Sequence, residues 1–107
     1  MAESSRGVKA TLHESFAEIA KAAAHPHRLA LLEHLAQGER NVDALADATG
    51  LGVANASQHL QSMRRAGLLA ARRDGKFTLY RLADESVLDL LDAIGRTARR
   101  NVAEVKE

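Results

Sequence analysis

The chain has 107 residues, of which 46% are apolar, so it is long enough for one folded domain and too apolar to be disordered throughout. It contains no cysteine, which excludes disulfides, thiolate metal sites, cysteine nucleophiles and thiol-based redox switches. The net charge is only +1, but residues 57–82 carry six Lys/Arg against one Asp/Glu, between two mildly acidic flanks. This basic segment predicts a polyanion partner, with a solvated basic face as the alternative.

The sequence lacks a secretory signal, and no run approaches the ~18 apolar residues that span a bilayer, so we expect a soluble, cytoplasmic protein. The aromatic residues are Phe16, Phe77 and Tyr80. They are too few to build the stacking platform that single-stranded nucleic acid prefers, which leaves duplex DNA as the nucleic acid to consider.

Three helices are predicted in the first half of the chain, after a flexible tail over residues 1–11 that precedes a folded domain. The first helix is predicted by an apolar stripe with helical spacing: Leu12, Phe16, Ile19 and Ala23. A second begins at Pro26, where a missing N–H does no harm, and ends at Gly38. A third runs over Val42–Thr49 and ends at Gly50, where a helix C-terminus favours positive φ.

After a tight turn, a fourth helix is predicted from Val53 to Ala66, with an apolar side formed by Ala56, Leu60 and Met63. A short helix, a tight turn and a helix with a polar outer face form a helix-turn-helix, whose second helix lies in the DNA major groove. Amide side chains bond adenine there and arginine bonds guanine. We therefore predict DNA contacts by Asn55, Ser57, Gln58, His59, Gln61, Ser62, Arg64 and Arg65.

A β-hairpin is predicted after Gly67, because Asp74-Gly75 favours a two-residue type I′ turn with φ above zero at both positions. Arg72, Arg73 and Lys76 lie near its tip and predict contacts with DNA phosphates. The alternative is that these cations keep an exposed strand edge from aggregating.

The last helix is predicted to begin at a cap formed by Asp84 or Ser86. Its apolar residues continue for longer than a lone terminal helix requires and predict a partner helix: Val87, Leu91, Ile94, Ala98, Val102 and Val105. Ordinary core is the alternative for this stripe and for that of the first helix. The predicted fold is mainly α with a small β-hairpin, a winged helix-turn-helix with four helices, two strands and a fifth helix.

Five segments, in this order, resemble the ArsR/SmtB family of bacterial winged-helix repressors: Ala24-His25-Pro26-His27-Arg28-Leu29, Val42-Asp43-Ala44-Leu45-Ala46, Ser57-Gln58-His59-Leu60, Arg65-Ala66-Gly67-Leu68-Leu69 and Tyr80-Arg81-Leu82. The resemblance covers about residues 12–105. It implies a homodimer joined through the first and last helices, a roughly palindromic operator, and release by a metal ion or another inducer. The dimer contacts it implies are Leu12, Phe16, Ile19, Val87, Leu91, Ile94 and Ala98.

The sensor positions of the family carry other residues here. The two thiolate positions at the third helix correspond to Asn41 and Asp43. The positions of the metal site on the last helix correspond to Asp84, Ser86, Thr97 and Arg100. Neither position at the third helix is a thiolate, and on the last helix only Asp84 keeps a ligand of the family's site. We therefore expect no metal site, no cofactor and a repressor released by an unidentified inducer.

The five histidines are His13, His25, His27, His34 and His59. His13 and His34 lie on separate predicted helices and have no carboxylate at a recognised metal spacing. His25 and His27 are interpreted as capping and surface residues, with metal binding as the alternative. His59 is assigned to DNA contact, with a hydrogen-bonded packing role as the alternative. No Ser/His/Asp arrangement suggests catalysis, so we expect no enzyme. The second functional hypothesis is a winged-helix module that binds a protein, but the basic segment favours DNA.

Overall fold

The computed structural model describes residues 2–106, and the surroundings of side chains over residues 11–103. Within this range the elements are α1 (Ala2–Ala23), α2 (Pro26–Leu35), β1 (Arg40–Asn41), α3 (Val42–Thr49), α4 (Val53–Arg65), β2 (Leu69–Asp74), β3 (Phe77–Leu82) and α5 (Glu85–Lys106). The architecture is mainly helical with one small antiparallel sheet, as predicted.

The ends of α2 and α3 follow from local chemistry. α2 begins at Pro26, and the Nδ1 atom of its N-cap residue His25 accepts a hydrogen bond from the His27 N–H at 3.1 Å. α3 begins after Asn41, whose side chain accepts from the Ala44 N–H at 2.8 Å. It ends at Gly50, whose φ of 72° is the left-handed conformation predicted there. The capping role of His25 and both bounds of α3 are thus confirmed.

α1 begins at Ala2, ten residues before the predicted first turn at Leu12. The backbone of residues 2–11 is helical, where the sequence predicted a flexible tail over residues 1–11. The segment lacks an apolar stripe, which is why the sequence pattern missed it.

The sheet has three strands in the order β1-β3-β2, with both pairs antiparallel. β2 and β3 form the predicted hairpin, from the pair Leu69 and Leu82 to the pair Asp74 and Phe77. β1 was not predicted. Its two residues pair with Tyr80 and Leu79 on β3, so the strand exists only because of a partner about 40 positions away.

The hairpin turn differs from the predicted one. Asp74 is paired with Phe77, so the two loop residues are Gly75 and Lys76 rather than Asp74 and Gly75. Gly75 has a φ of 62°, and among the described residues positive φ is confined to glycines. A positive φ at the first loop position alone is the pattern of a type II′ turn, not of the predicted type I′.

The core lies where α2, α3 and α4 meet above the sheet. Its largest fully buried side chains are Leu31, Leu32, Leu45, Leu60 and Met63. Leu69 and Tyr80 extend it onto the hairpin, and Val87 extends it onto the beginning of α5. This core fixes α4 by one face and leaves its other face to solvent.

Candidate nucleic-acid interface

α4 separates an apolar face from a polar face, as its sequence period predicts. Ala56, Leu60 and Met63 have no exposed surface. Exposed side chains on the same helix are Asn55, Gln58, Gln61, Arg64 and Arg65, while Ser57, His59 and Ser62 are half-buried. The structure therefore brings all eight predicted DNA contacts of the helix to its accessible surface. Burial of the apolar face, worth about 1.5–3 kcal/mol per large side chain, holds this surface in place.

Two hydrogen bonds order the polar face of α4. Gln61 Nε2 donates to Ser57 Oγ at 2.9 Å, one helical turn earlier. Arg65 Nη2 donates to Ser62 Oγ at 3.2 Å. Because these pairs lie along the accessible face, their remaining donors and acceptors are presented together, which suits the edges of base pairs.

The wing, defined as β2, β3 and their turn, carries three predicted DNA contacts with three different surroundings. Arg72 donates from Nε and Nη2 to the two carboxylate oxygens of Glu39, at 2.9 and 2.7 Å. Arg73 donates to Thr78 Oγ1 at 3.3 Å. Lys76 Nζ lies 5.5 Å from the centre of the Phe77 ring. The first of these contacts partly neutralises Arg72, which the sequence did not predict.

The pair of Glu39 and Arg72 alters the titration of both groups. The hydrogen bond from Arg72 lowers the pKa of the Glu39 carboxyl, with the positive charge of Arg72 acting in the same direction. The same hydrogen bond raises the pKa of the Arg72 guanidinium. Both groups are therefore charged near neutral pH, and Glu39 opposes the positive field of the wing.

His59 makes the hydrogen bond that the sequence left as the alternative to DNA contact. It flanks the exposed face of α4, and its Nδ1 atom accepts a hydrogen bond from Arg28 Nε at 3.0 Å. Arg28 also donates from Nη1 to the Ala22 carbonyl at 3.1 Å, so it links the end of α1 to α4. Sequence reasoning missed Arg28, because it lies 31 positions from His59.

Three imidazoles gather beside Arg28. The His59 ring centre lies 4.8 Å from that of His25 and 6.1 Å from that of His27. Desolvation, followed by the charge of Arg28, lowers the pKa of the His59 imidazole below its ordinary value. Neutral His59 is also the form that accepts at Nδ1, since protonation places a hydrogen there.

Two of the positions that the resemblance matched to sensor residues, Asn41 and Asp84, serve as helix caps. Asn41 caps α3, and Asp84 Oδ1 accepts from the Ser86 N–H at 2.8 Å at the beginning of α5. The Ser86 hydroxyl also contacts this oxygen, and the hydrogen bonds to Ser86 lower the pKa of the Asp84 carboxyl. Asp84 is thus the predicted cap. In the part of the chain that the structure describes, no group of three or more His, Asp or Glu side chains is arranged to hold a metal ion.

The residues assigned to dimer contacts have different exposures. Leu12, Phe16 and Ile19 on α1 are 51%, 55% and 38% exposed, so they are not core of this chain. On α5, Ile94 and Ala98 are also exposed, whereas Leu91 is half-buried. Val87 is only 6% exposed and packs within the core of its own chain. Over the described range, no helix is long and apolar enough to cross a membrane.

Four features of this structure define the class of winged helix-turn-helix DNA-binding domains: the short helix α3, the turn after it, the polar face of α4 and the basic wing. Residues 23–72 match the family described as a helix-turn-helix domain. The chain is 42% identical to the HTH-type transcriptional regulator Rv0324 of Mycobacterium tuberculosis over 97 residues, which are 91% of this chain and 43% of that protein. It therefore spans less than half the length of that relative.

A second relative and a solved structure cover more of their own length. The HTH-type transcriptional regulator Rv0081 of M. tuberculosis is 42% identical over 81 residues, 75% of this chain and 71% of that protein. The solution structure of the homodimeric winged helix-turn-helix DNA-binding domain of Mb0332 from Mycobacterium bovis, described as a possible ArsR-family regulator, superposes with a TM-score of 0.81 at 43% identity. The superposition covers 85% of this chain and 84% of the M. bovis chain. The chain belongs to the ArsR/SmtB family of winged helix-turn-helix transcriptional regulators.

Proposed function

We propose that this chain is a homodimeric repressor that binds a palindromic operator in duplex DNA in the cytoplasm, without catalytic activity, and is released by an unidentified inducer. The observation that carries the proposal is the division of α4 into a fully buried apolar face and an exposed face of amide, hydroxyl and guanidinium groups. A helix with this surface, supported from behind by the core, fits the major groove.

The wing supplies the second part of the proposed interface. Arg73 and Lys76 lie exposed near its turn, and contacts of such cations with phosphates would fix the register of the protein on DNA. Arg72 attracts phosphates less strongly in this arrangement, because Glu39 holds it in a bidentate ion pair.

Homodimerisation is supported by the exposed apolar residues of α1 and α5 and by the homodimeric relative from M. bovis. We propose Leu12, Phe16, Ile19, Ile94 and Ala98 as dimer contacts, with Leu91 at the edge of the core. Val87 would support the interface from within the chain. The α4 helices of the two protomers, related by a twofold axis, would enter successive major grooves about 34 Å apart.

The test is DNA affinity against salt concentration, on an operator recovered by genomic footprinting and on a random duplex. Several phosphate contacts give a steep negative slope of log K against log salt. A flat slope would reject DNA binding and favour the protein-binding alternative. Gln58→Ala is expected to weaken operator binding by about 1–3 kcal/mol with little effect on random DNA. Lys76→Gln is the matched variant, and it should weaken binding to both duplexes equally.

A further inference from the structure

A surface cleft of about 340 Å3 opens between the beginning of α2 and the exposed face of α4. The residues that line it are Arg28, Gln58, His59, Gln61, Ser62 and Arg65. Two of these six side chains are guanidinium groups, three others carry amide or hydroxyl donors, and none is a carboxylate. A cleft with this lining favours an oxyanion, because charge-assisted hydrogen bonds to oxyanions are the strongest that these side chains form.

Arg28 is already held in place at this cleft. Its bonds to His59 Nδ1 and to the Ala22 carbonyl use two of the five N–H donors of the guanidinium group. The other donors remain for an acceptor in the cleft. Because the side chain is half-buried and fixed at two atoms, a further contact costs less conformational entropy than one made by a mobile surface arginine.

We propose that Arg28 binds a backbone phosphate of duplex DNA in this cleft, next to the groove that α4 enters. The proposal rests on the proposed function and adds a DNA contact on α2, outside the helix-turn-helix and the wing. Phosphates line both walls of the major groove, and the cleft adjoins the face of α4 that carries Gln58 and Gln61. A phosphate held there would fix the depth and angle of the reading helix without itself distinguishing sequences.

The test is the salt dependence of Arg28→Gln binding to a random duplex. Loss of one phosphate contact in each protomer should make the slope of log K against log salt shallower by about 0.9 per protomer. Affinity for operator and random DNA should fall by the same factor. If Arg28 only positioned His59, operator binding would weaken while the slope on random DNA stayed as in the wild type. That outcome would overturn the proposal.

Arg96→Gln is the matched control, because it removes an exposed arginine from α5, outside the cleft. Its slope should equal that of the wild type. A wild-type protein without salt-dependent DNA affinity would reject the proposed function itself, whereas an unchanged slope in Arg28→Gln alone would reject only this contact.

A second measurement does not depend on the folding of the variant. Inorganic phosphate is titrated into the wild-type protein while the NMR signals of Arg28 Nε and of the Gln58 side-chain amide are followed. We expect saturable shifts at both groups, and their loss when duplex DNA occupies the cleft. Absence of a phosphate-induced shift at Arg28 Nε, in a protein that still binds the duplex, would contradict the proposal.

Discussion

At the residue scale, Glu39 partly neutralises the positive charge of the wing. Its carboxylate accepts both hydrogen bonds from Arg72, although the two residues lie 33 positions apart. Glu39→Gln should release Arg72, so that the slope of log K against log salt on random duplex DNA becomes steeper by about 0.9 per protomer. Thermal stability should change little, because the ion pair is exposed to solvent.

Glu33→Gln is the control for this prediction. It also removes an exposed carboxylate, but Glu33 lines a groove between α2 and α5 rather than the wing. An equally steep slope in Glu33→Gln would mean that net charge alone is responsible. An unchanged slope in Glu39→Gln would show that the ion pair does not restrain Arg72 in solution.

His59 makes stability depend on pH. Desolvation and the neighbouring charges of Arg28, His25 and His27 lower its pKa in the folded chain. Folding therefore favours neutral His59, so this contribution to stability is present above the ordinary pKa of 6.5 and is lost as pH falls through the lower folded value. His59→Asn should remove it, because an amide oxygen can accept from Arg28 Nε without titrating.

The measurement is the free energy of unfolding in urea, compared for wild type and His59→Asn from pH 8 to pH 5. This range extends about 1.5 pH units to either side of the ordinary imidazole pKa. The wild-type curve should fall more steeply with acid than the His59→Asn curve. His13→Asn, which removes an exposed imidazole from α1, is the control. Parallel curves for wild type and His59→Asn would contradict the role assigned to His59.

The residues of α4 were predictable because one helical period decides both faces. Ala56, Leu60 and Met63 are buried, as the helical period predicts, and the polar positions are accessible. The partners of Arg72 and His59 were not predictable in the same way. Glu39 and Arg28 reach them only after the tertiary fold brings distant segments together, and local spacing carries no signal of such contacts.

At the scale of elements, the turn between α3 and α4 depends on two glycines with opposite requirements. Gly50 has a φ of 72°, where any side chain is strained, whereas Gly52 has a φ of −66° and is the N-cap of α4 without a side-chain hydrogen bond. Gly50→Ser should therefore destabilise the fold by about 1 kcal/mol. Gly52→Ser should stabilise it by a few tenths, because a serine hydroxyl can cap the helix.

These two variants are controls for each other, since the same substitution is made two positions apart. Both have open space around the added Cβ atom, so steric contact does not separate them. Urea unfolding measures the difference between their stabilities. Equal losses at the two positions would show that side-chain chemistry, rather than backbone conformation, governs this turn.

Element boundaries were predictable where a single residue determines them. Pro26 and Gly50 mark a helix beginning and a helix end in the structure, as in the sequence. Boundaries that depend on pairing between strands were either missed or placed one residue away. β1 depends on β3 for its existence, and cross-strand register places Asp74 in a pair with Phe77 and so moves the turn by one residue.

At the scale of the whole molecule, α1 has an apolar surface that its own chain does not cover. Phe16 is 55% exposed, between Leu12 and Ile19 on the same stripe. In a symmetric dimer each interface residue occurs twice, so loss of about 2 kcal/mol per buried aromatic becomes about 4 kcal/mol per dimer. Phe16→Asp should therefore weaken dimerisation about a thousandfold, which sedimentation equilibrium measures.

Phe77→Asp is the matched control for dimerisation, because Phe77 is similarly exposed, at 41%, but lies on the wing. It should remain dimeric, whereas Phe16→Asp becomes monomeric and loses most of its operator affinity while each monomer still binds random DNA. The loss of operator affinity is expected because the two α4 helices of a dimer contact two half-sites at once, whereas a monomer has one α4 helix and contacts one half-site. A dimeric Phe16→Asp protein would place the interface elsewhere, and a monomer with undiminished operator affinity would contradict the proposed palindromic operator.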